Sequence, residues 1–235
     1  HGSAAVSRSA PEAKSPLSPT TNDPIMNSLH SSRLVFAAAL GLAGLSASAA
    51  PLSFDFTDPK GVNNVQFSLD APLESITGTG NGVSGTIVFD PQNPAATRGR
   101  IVLSVASLTV GNPIMRDHLQ GKDWLAAEQH PEIVFEADGA DNVRTEGGRV
   151  VADVKGRLTI KGVSREVVLP VSFALLPDKL GARVGDPKVK GDLLVVRASF
   201  AINRSEFGIQ PGQMTDKVAE QIQLSLSLAG AAPKA

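Results

Sequence analysis

The most constraining feature of this sequence is the regular alternation of apolar and polar residues along four long segments. These segments cover residues 149–161, 163–176, 193–203 and 218–228. Successive side chains of a β-strand point to opposite faces, so a period of two predicts strands with one apolar face. Such one-sided strands are typical of an antiparallel sheet that packs one face on a core.

The first two of these segments predict a long β-hairpin. Lys161-Gly162 lies between them and would form a tight turn. Shorter strands are predicted at 53–56, 65–69, 83–90, 100–105 and 133–137. So many strands in one domain predict an all-β sandwich or a closed barrel, and closure would also remove exposed sheet edges.

One segment, residues 112–121, breaks the strand pattern. It begins with Asn and Pro and ends with Gly, which predicts a short helix with an N-cap, a first-turn proline and a C-terminal stop. Met115 and Leu119 would share one face of this helix. A second short turn carries Trp124 and ends before Pro131.

The first fifty residues are predicted to lie outside the fold. Residues 1–25 are rich in Ser, Pro and Ala, which indicates a tag or a disordered leader. Residues 26–50 have the pattern of a secretory signal peptide, with an apolar run at 34–45 and an Ala47-x-Ala49 cleavage motif. As a helix that run would be about 18 Å long, well short of a bilayer core of about 30 Å. We therefore predict a single secreted domain at 51–235.

The composition excludes several classes of function. The absence of Cys excludes disulfides, thiolate zinc sites and Cys nucleophiles, and four His leave little for a metal centre. A net charge of −1 gives no basic surface for nucleic acid. With no Tyr and one Trp, the chain cannot build the aromatic girdles of an outer-membrane barrel. There is no Gly-x-Ser-x-Gly elbow, so we predict neither an enzyme nor a cofactor.

Five segments, in order, resemble the YceI-like family of lipocalin-like, polyisoprenoid-binding periplasmic proteins. They are residues 85–91, 116–119, 123–125 together with 130–135, 156–165 and 203–209. The chain departs from the family at Asn63-Asn64, where His-Ser is usual, and at Trp124, where Phe is more common. The resemblance implies an extended eight-stranded antiparallel barrel with one short helix segment, whose elongated apolar pocket would hold an isoprenoid in the periplasm.

Candidate ligand contacts follow from the apolar faces and from that resemblance. Inward residues of the strands, with the apolar face of the helix, would contact a lipid tail: Leu119, Ile133, Phe135, Leu158, Ile160, Leu169, Val171, Phe173, Phe200 and Ile202. Alternation alone does not separate such a hollow barrel from one with a dry packed core. Trp124 would line the pocket mouth or plug one end.

Three cationic or titratable side chains are candidates for contacts with a polar head group. They are Arg116 and His118 on the short helix, and Arg204 after a strand end. The alternative is structural, with the arginines in ion pairs to Asp117, Asp123 or Glu206 and His118 packed on the helix.

The first functional hypothesis is a non-catalytic periplasmic carrier of a long-chain lipid, of the quinone or polyprenyl phosphate type. The second is an interaction or stress-response module with a packed barrel, which acts through a protein partner or as a homodimer. The third is an enzyme for an isoprenoid or quinone precursor, with His118 as its acid–base group.

Overall fold

Antiparallel strands make up most of residues 50–234, the part of the chain that the computed structural model describes. The predicted leader and signal peptide therefore lie outside the described residues, apart from Ala50. In chain order the strands are β1 Leu52–Asp55, β2 Asn64–Asp70, β3 Ser75–Gly80, β4 Val83–Phe89, β5 Arg98–Ser104, β6 Leu108–Val110, β7 Glu132–Glu146, β8 Arg149–Ile160, β9 Val163–Leu176, β10 Gly191–Asn203 and β11 Gln221–Pro233. Two helices, α1 Pro113–Gln120 and α2 Leu180–Val184, lie between strands.

These strands close into the eight-stranded barrel that the sequence resemblance implied. The ring runs β1-β4-β5-β7-β8-β9-β10-β11, and the pairing of Asp55 with Ala231 joins its ends. The short strands β2, β3 and β6 continue β1, β4 and β5 beyond local breaks, since β2 pairs with β11 and with β3, and β3 pairs with β6. The fold is thus an up-and-down barrel whose first three strands are each interrupted once.

The alternating faces are those expected from the sequence. Along β8, Val154 and Leu158 are buried, whereas Lys155 and Arg157 are exposed on the outer face. The turn between β8 and β9 has φ of 49° at Lys161 and 75° at Gly162. Two successive positive φ angles are the geometry of a tight type I′ hairpin turn, and the predicted hairpin is confirmed.

Helix α1 begins and ends as predicted, and it covers one end of the barrel. The Asn112 side chain accepts hydrogen bonds from the N–H of Ile114 at 2.9 Å and of Met115 at 3.4 Å. At its other end, Gln120 Nε2 donates to the carbonyls of Ala106 and Leu108. These bonds tie the helix to the edge strand β6.

Several strand boundaries differ from those predicted. Strand β7 continues beyond the predicted end at 137 to Glu146. The sequence did not predict this extension, because register shifts near Gly139 and between Asp141 and Arg144 interrupt the alternation of inner and outer residues. Strand β11 begins at Gln221 rather than at 218 and continues through small Ala and Gly residues to Pro233. Three elements were not predicted from the sequence: β3, β6 and α2. They are short and contain few large apolar residues, so they show no clear periodicity.

The break between β1 and β2, residues 56–63, is bridged by the side chain of Asn63. This side chain is buried and donates from Nδ2 to the carbonyls of Phe56 at 3.0 Å and Ala229 at 3.1 Å. Its Oδ1 accepts the N–H of Ala229 at 2.8 Å. Asn63 therefore replaces ladder bonds that the break removes, which gives a structural reason for this departure from the family pattern.

Asp58 makes the same break sensitive to acid. Burial raises the pKa of its carboxyl, but the N–H groups of Asn63, Lys60 and Val62 and the charge of Arg183 outweigh burial, so the pKa lies below its ordinary value of 3.8. The ionised Asp58 carboxylate therefore stabilises the folded protein fully at pH values above its unfolded-state pKa. This contribution is lost as the pH falls through its folded-state pKa.

We expect Asp58→Asn to lower the free energy of unfolding at neutral pH by about 1–3 kcal/mol. The variant would also lose the part of the acid dependence that this carboxyl supplies. Urea unfolding of both proteins at neutral pH and through the acid range measures the two effects. If the free energy of unfolding fell as steeply with acid in the variant as in the parent, other carboxyls would be responsible for the acid dependence.

Candidate functional site

The barrel encloses an apolar cavity of about 810 Å³. Ligand pockets typically have volumes of about 300–1,000 Å³. The inner positions of β10 and β11 supply one wall: Val196, Ala198, Phe200, Ile202, Ile222, Leu224, Leu226 and Leu228. From Ile222 to Leu228 this wall is about 20 Å long, at the usual rise per strand residue.

The interior is hollow along its middle and filled at one end. Phe200, Leu224 and Leu226 face inward but keep part of their surface accessible. Phe173 and Phe56, which also line the cavity, are only 3% and 0% exposed. An inward side chain keeps accessible surface only where it faces open space, so the interior is packed at the two phenylalanines and open beside Phe200, Leu224 and Leu226.

All but one of the predicted contact residues line this cavity. They are His118, Leu119, Trp124, Ile133, Phe135, Leu158, Ile160, Leu169, Val171, Phe173, Phe200, Ile202 and Arg204. Arg116 does not line it. The Arg116 guanidinium pairs with Asp117 at 3.2 Å, and both side chains are exposed to solvent.

Arg204 is completely buried at the end of β10, and its hydrogen-bonding capacity is used within the protein. The guanidinium donates to five backbone carbonyls, those of Ile209, Gln210, Gln213, Val218 and Ala219. An arginine side chain has five N–H groups, so none remains for a ligand. Its nearest carboxylate is Glu220, at 3.8 Å, rather than the predicted Asp117, Asp123 or Glu206. Arg204 therefore shapes the loop of residues 209–218.

Trp124 lies against Arg204 at the α1 end of the cavity. The centre of the indole ring is 5.9 Å from Arg204 Cζ, which is a cation–π distance. The turn that carries Trp124 is fixed by a hydrogen bond from the N–H of Leu125 to the carbonyl of Leu119. This position is at the opposite end of the cavity from Phe56 and Phe173.

The α1 end forms a polar mouth, which three chain segments share. Gln210 Nε2 donates to the carbonyl of Asp123, and the N–H of Leu73 donates to the carbonyl of Asp216. These bonds join the 209–218 loop to the turn after α1 and to the β2–β3 turn. The mouth is lined by His118, by the cationic Lys122 and Lys217, and by the carboxylates of Glu74, Asp117 and Asp123.

Sequence reasoning missed two kinds of cavity residue. The first kind is two lysines at the mouth. Lys122 follows the helix predicted at 112–121, and Lys217 precedes the strand predicted at 218–228, so their positions at the ends of these elements were the available signal. Phe67 alternates with Val65 and Leu69 in the strand predicted at 65–69, so its apolar face was the available signal. Ile76 comes from β3, where Ser, Thr and Gly conceal the apolar period. Leu224 and Leu226 also line the cavity and were not among the candidate contacts, although they lie on the apolar face of the segment predicted at 218–228.

Residues 50–234 contain neither a cluster of metal ligands nor a helix suited to crossing a membrane. Within that range, no three His, Cys, Asp or Glu side chains form a group that could hold a metal ion. Its helices are too short or too polar to cross a bilayer. His118 is in α1, whereas His130 packs beside Gly162 of the β8–β9 turn.

Comparison with known sequences matches residues 57–229 to the YceI-like domain. A UPF0312 protein of Photorhabdus laumondii is 35% identical over 92 residues, which cover 39% of this chain and 45% of that protein. A UPF0312 protein of Pseudomonas savastanoi is 32% identical over 139 residues, which cover 58% of this chain and 70% of that protein. The matched part of this chain thus spans less than half the length of the Photorhabdus laumondii protein.

Comparison with solved structures finds the same barrel. Burkholderia cenocepacia BcnA superposes with a TM-score of 0.58 at 24% identity, over 71% of this chain and 95% of that one. A polyisoprenoid binding domain from Saccharophagus degradans, implicated in plant cell wall breakdown, gives 0.57 at 12% identity, over 78% and 100%. The two superpositions show a shared fold, and the match to the YceI-like domain covers residues 57–229, most of the chain. The chain therefore belongs to the YceI-like family.

Proposed function

We propose that this protein is a non-catalytic carrier that holds a long-chain apolar lipid, of the polyisoprenoid type, inside its barrel. The observation that carries the proposal is the hollow apolar cavity with one filled end and one polar mouth. That shape suits a molecule with a long apolar tail and a small polar head. The structural likeness to a domain described as polyisoprenoid binding supports a prenyl tail.

Burial of the tail supplies enough free energy for binding without a strong polar anchor. Each methylene group removed from water contributes roughly 0.8 kcal/mol. A dozen buried carbons therefore contribute about 10 kcal/mol, before the costs of association and ordering are subtracted. A packed interaction module would need a filled interior, so the open middle of the barrel favours a carrier.

The charges at the mouth favour an uncharged head group over a phosphate. The lining contains two lysines, Lys122 and Lys217, and two carboxylates that are unpaired within residues 50–234, Glu74 and Asp123, while Asp117 is already paired with Arg116. These groups leave no net positive charge, and Arg204 has no free donor. We therefore propose a quinone- or prenol-type head, whose binding would change little with salt because no ion pair is formed.

Solvent extraction of the purified full-length protein, followed by mass spectrometry, tests the proposal. We expect a co-purifying prenyl lipid with an uncharged head, at up to one molecule per barrel. Protein stripped of lipid should then take up a linear prenol to saturation. A protein that carries no lipid and takes up none when stripped would overturn the carrier function.

We propose that the carrier acts in the periplasm, on the basis of the signal sequence predicted at residues 26–50. Fractionation of cells that express the full chain tests this location. Recovery in the periplasmic fraction, with the N-terminus near residue 51, is the expected result. Full-length protein retained in the cytoplasm would contradict it.

A further inference from the structure

The filled end of the cavity is closed by a floor of three side chains, Phe56, Phe173 and Leu228. All three line the cavity, yet they are 0%, 3% and 2% exposed. They come from the break after β1, from β9 and from β11, so the floor joins distant parts of the barrel. We propose that this floor sets the longest apolar chain that the barrel accepts. The inference rests on the proposed lipid-carrier function and adds a determinant of ligand length.

A second apolar layer backs the floor. Phe54, Phe89 and Leu194 are at most 1% exposed, and they lie outside the cavity lining. The Phe89 ring stacks on Phe173, with ring centroids 5.2 Å apart and planes inclined by 27°. Because protein interiors are close-packed, this second layer leaves the floor no room to recede before a longer chain.

Phe56 is also held from the side by the backbone of β11. A Cβ atom at Gly230 would lie 2.6 Å from the Phe56 ring, closer than real Cβ contacts allow. The ring therefore lies directly against a residue that has no side chain. The carbonyl of Phe56 accepts a hydrogen bond from Asn63, so its backbone is fixed as well. The floor is a rigid wall rather than a mobile plug.

A rigid floor predicts a characteristic dependence of affinity on chain length. Each methylene group that enters the cavity raises the affinity about fourfold. Once the tail reaches the floor, further carbons must stay at the mouth in water and add nothing. The affinity for a series of prenols should therefore rise steeply with length and then stop rising at a sharp limit.

The test uses lipid-stripped protein and linear prenols that increase by one isoprene unit at a time. We expect Phe173→Ala to move the limit to a longer chain by about one unit, because the removed ring is close in size to an isoprene unit. The first prenol beyond the parent limit should bind at least about tenfold more tightly to the variant. Phe207→Ala is the matched control, because it truncates a buried ring that does not line the cavity and lies just after β10, at the other end of the barrel, and it should keep the parent limit.

The opposite change tests the floor without opening a cavity. Val171 lines the space just above Phe173 on the same strand, so Val171→Phe should move the limit to a shorter chain. If Phe173→Ala does not fold, this variant and the milder Phe173→Leu decide the question. A parent protein that binds prenols with no length limit, or a limit unchanged in these variants, overturns the floor while the carrier function stands. A parent that binds no prenol overturns the proposed function instead.

Discussion

Phe200→Glu should abolish lipid binding while the barrel stays folded. Phe200 lies three residues before the end of β10, faces the open part of the cavity and keeps part of its surface accessible. A carboxylate at this position would have to be dehydrated, or neutralised by a proton, before a lipid tail could lie against it. That desolvation costs several kcal/mol. We therefore expect the affinity for a prenol to fall at least about a hundredfold.

Ala201→Glu is the matched control for this variant. Ala201 is the next residue on the same strand, and it is exposed on the outer face of the barrel. It receives the same new charge outside the cavity, so its prenol affinity should equal that of the parent. Titration of the lipid-stripped proteins, with circular dichroism to verify the fold, measures both. Parent-like binding by a folded Phe200→Glu would place the lipid elsewhere.

Arg204→Ala should have the largest effect on stability. It would leave five backbone carbonyls without their donor and would remove the cation beside Glu220. Removing one member of such a buried charged network typically costs about 3–5 kcal/mol. Denaturant unfolding should show a decrease of this size. We also expect loss of order in the 209–218 loop, visible as faster amide hydrogen exchange.

Two further variants separate the geometry of Arg204 from its charge. Arg204→Lys keeps the charge but has only three donors, so it should recover only a small part of the lost stability. Arg116→Ala removes an exposed ion pair and should change the free energy of unfolding by less than about 1 kcal/mol. Full recovery in Arg204→Lys would show that the charge, rather than the five-donor geometry, stabilises the mouth.

The alternation of residues predicted most of the barrel, because a period of two survives wherever a strand is regular and its inner residues are large. The hairpin of β8 and β9 meets both conditions. In β7, register shifts displace the inner positions, and in β3 the sequence Ser-Ile-Thr-Gly-Thr-Gly has one large apolar residue. These elements depend on pairing with neighbouring strands, which a local pattern does not encode.

The apolar wall of the site was likewise visible in the sequence, but the state of the interior was not. Alternation assigns Leu158 and Phe200 to the inner face. Whether the space between them is open depends on side chains from the far side of the barrel, which tertiary structure alone brings together. The role of Arg204 also could not be predicted, because it too depends on residues that only the tertiary structure brings together. Its carbonyl partners come from a loop in which Gln210 and Met214 have positive φ angles, a conformation that these residue types do not predict.

Trp124 allows the most direct measurement of where a lipid lies. It is the single Trp of the chain and lines the cavity at the α1 end, so its fluorescence reports on that end alone. The titrant is a long-chain alcohol that carries bromine, a contact quencher, either beside the head or at the tip of the tail. If the tail enters first and the head stays at the mouth, bromine beside the head should quench Trp124 strongly, and bromine at the tail tip only weakly. Equal quenching by both probes, or none at saturation, would contradict a lipid held inside the barrel with its head beside α1.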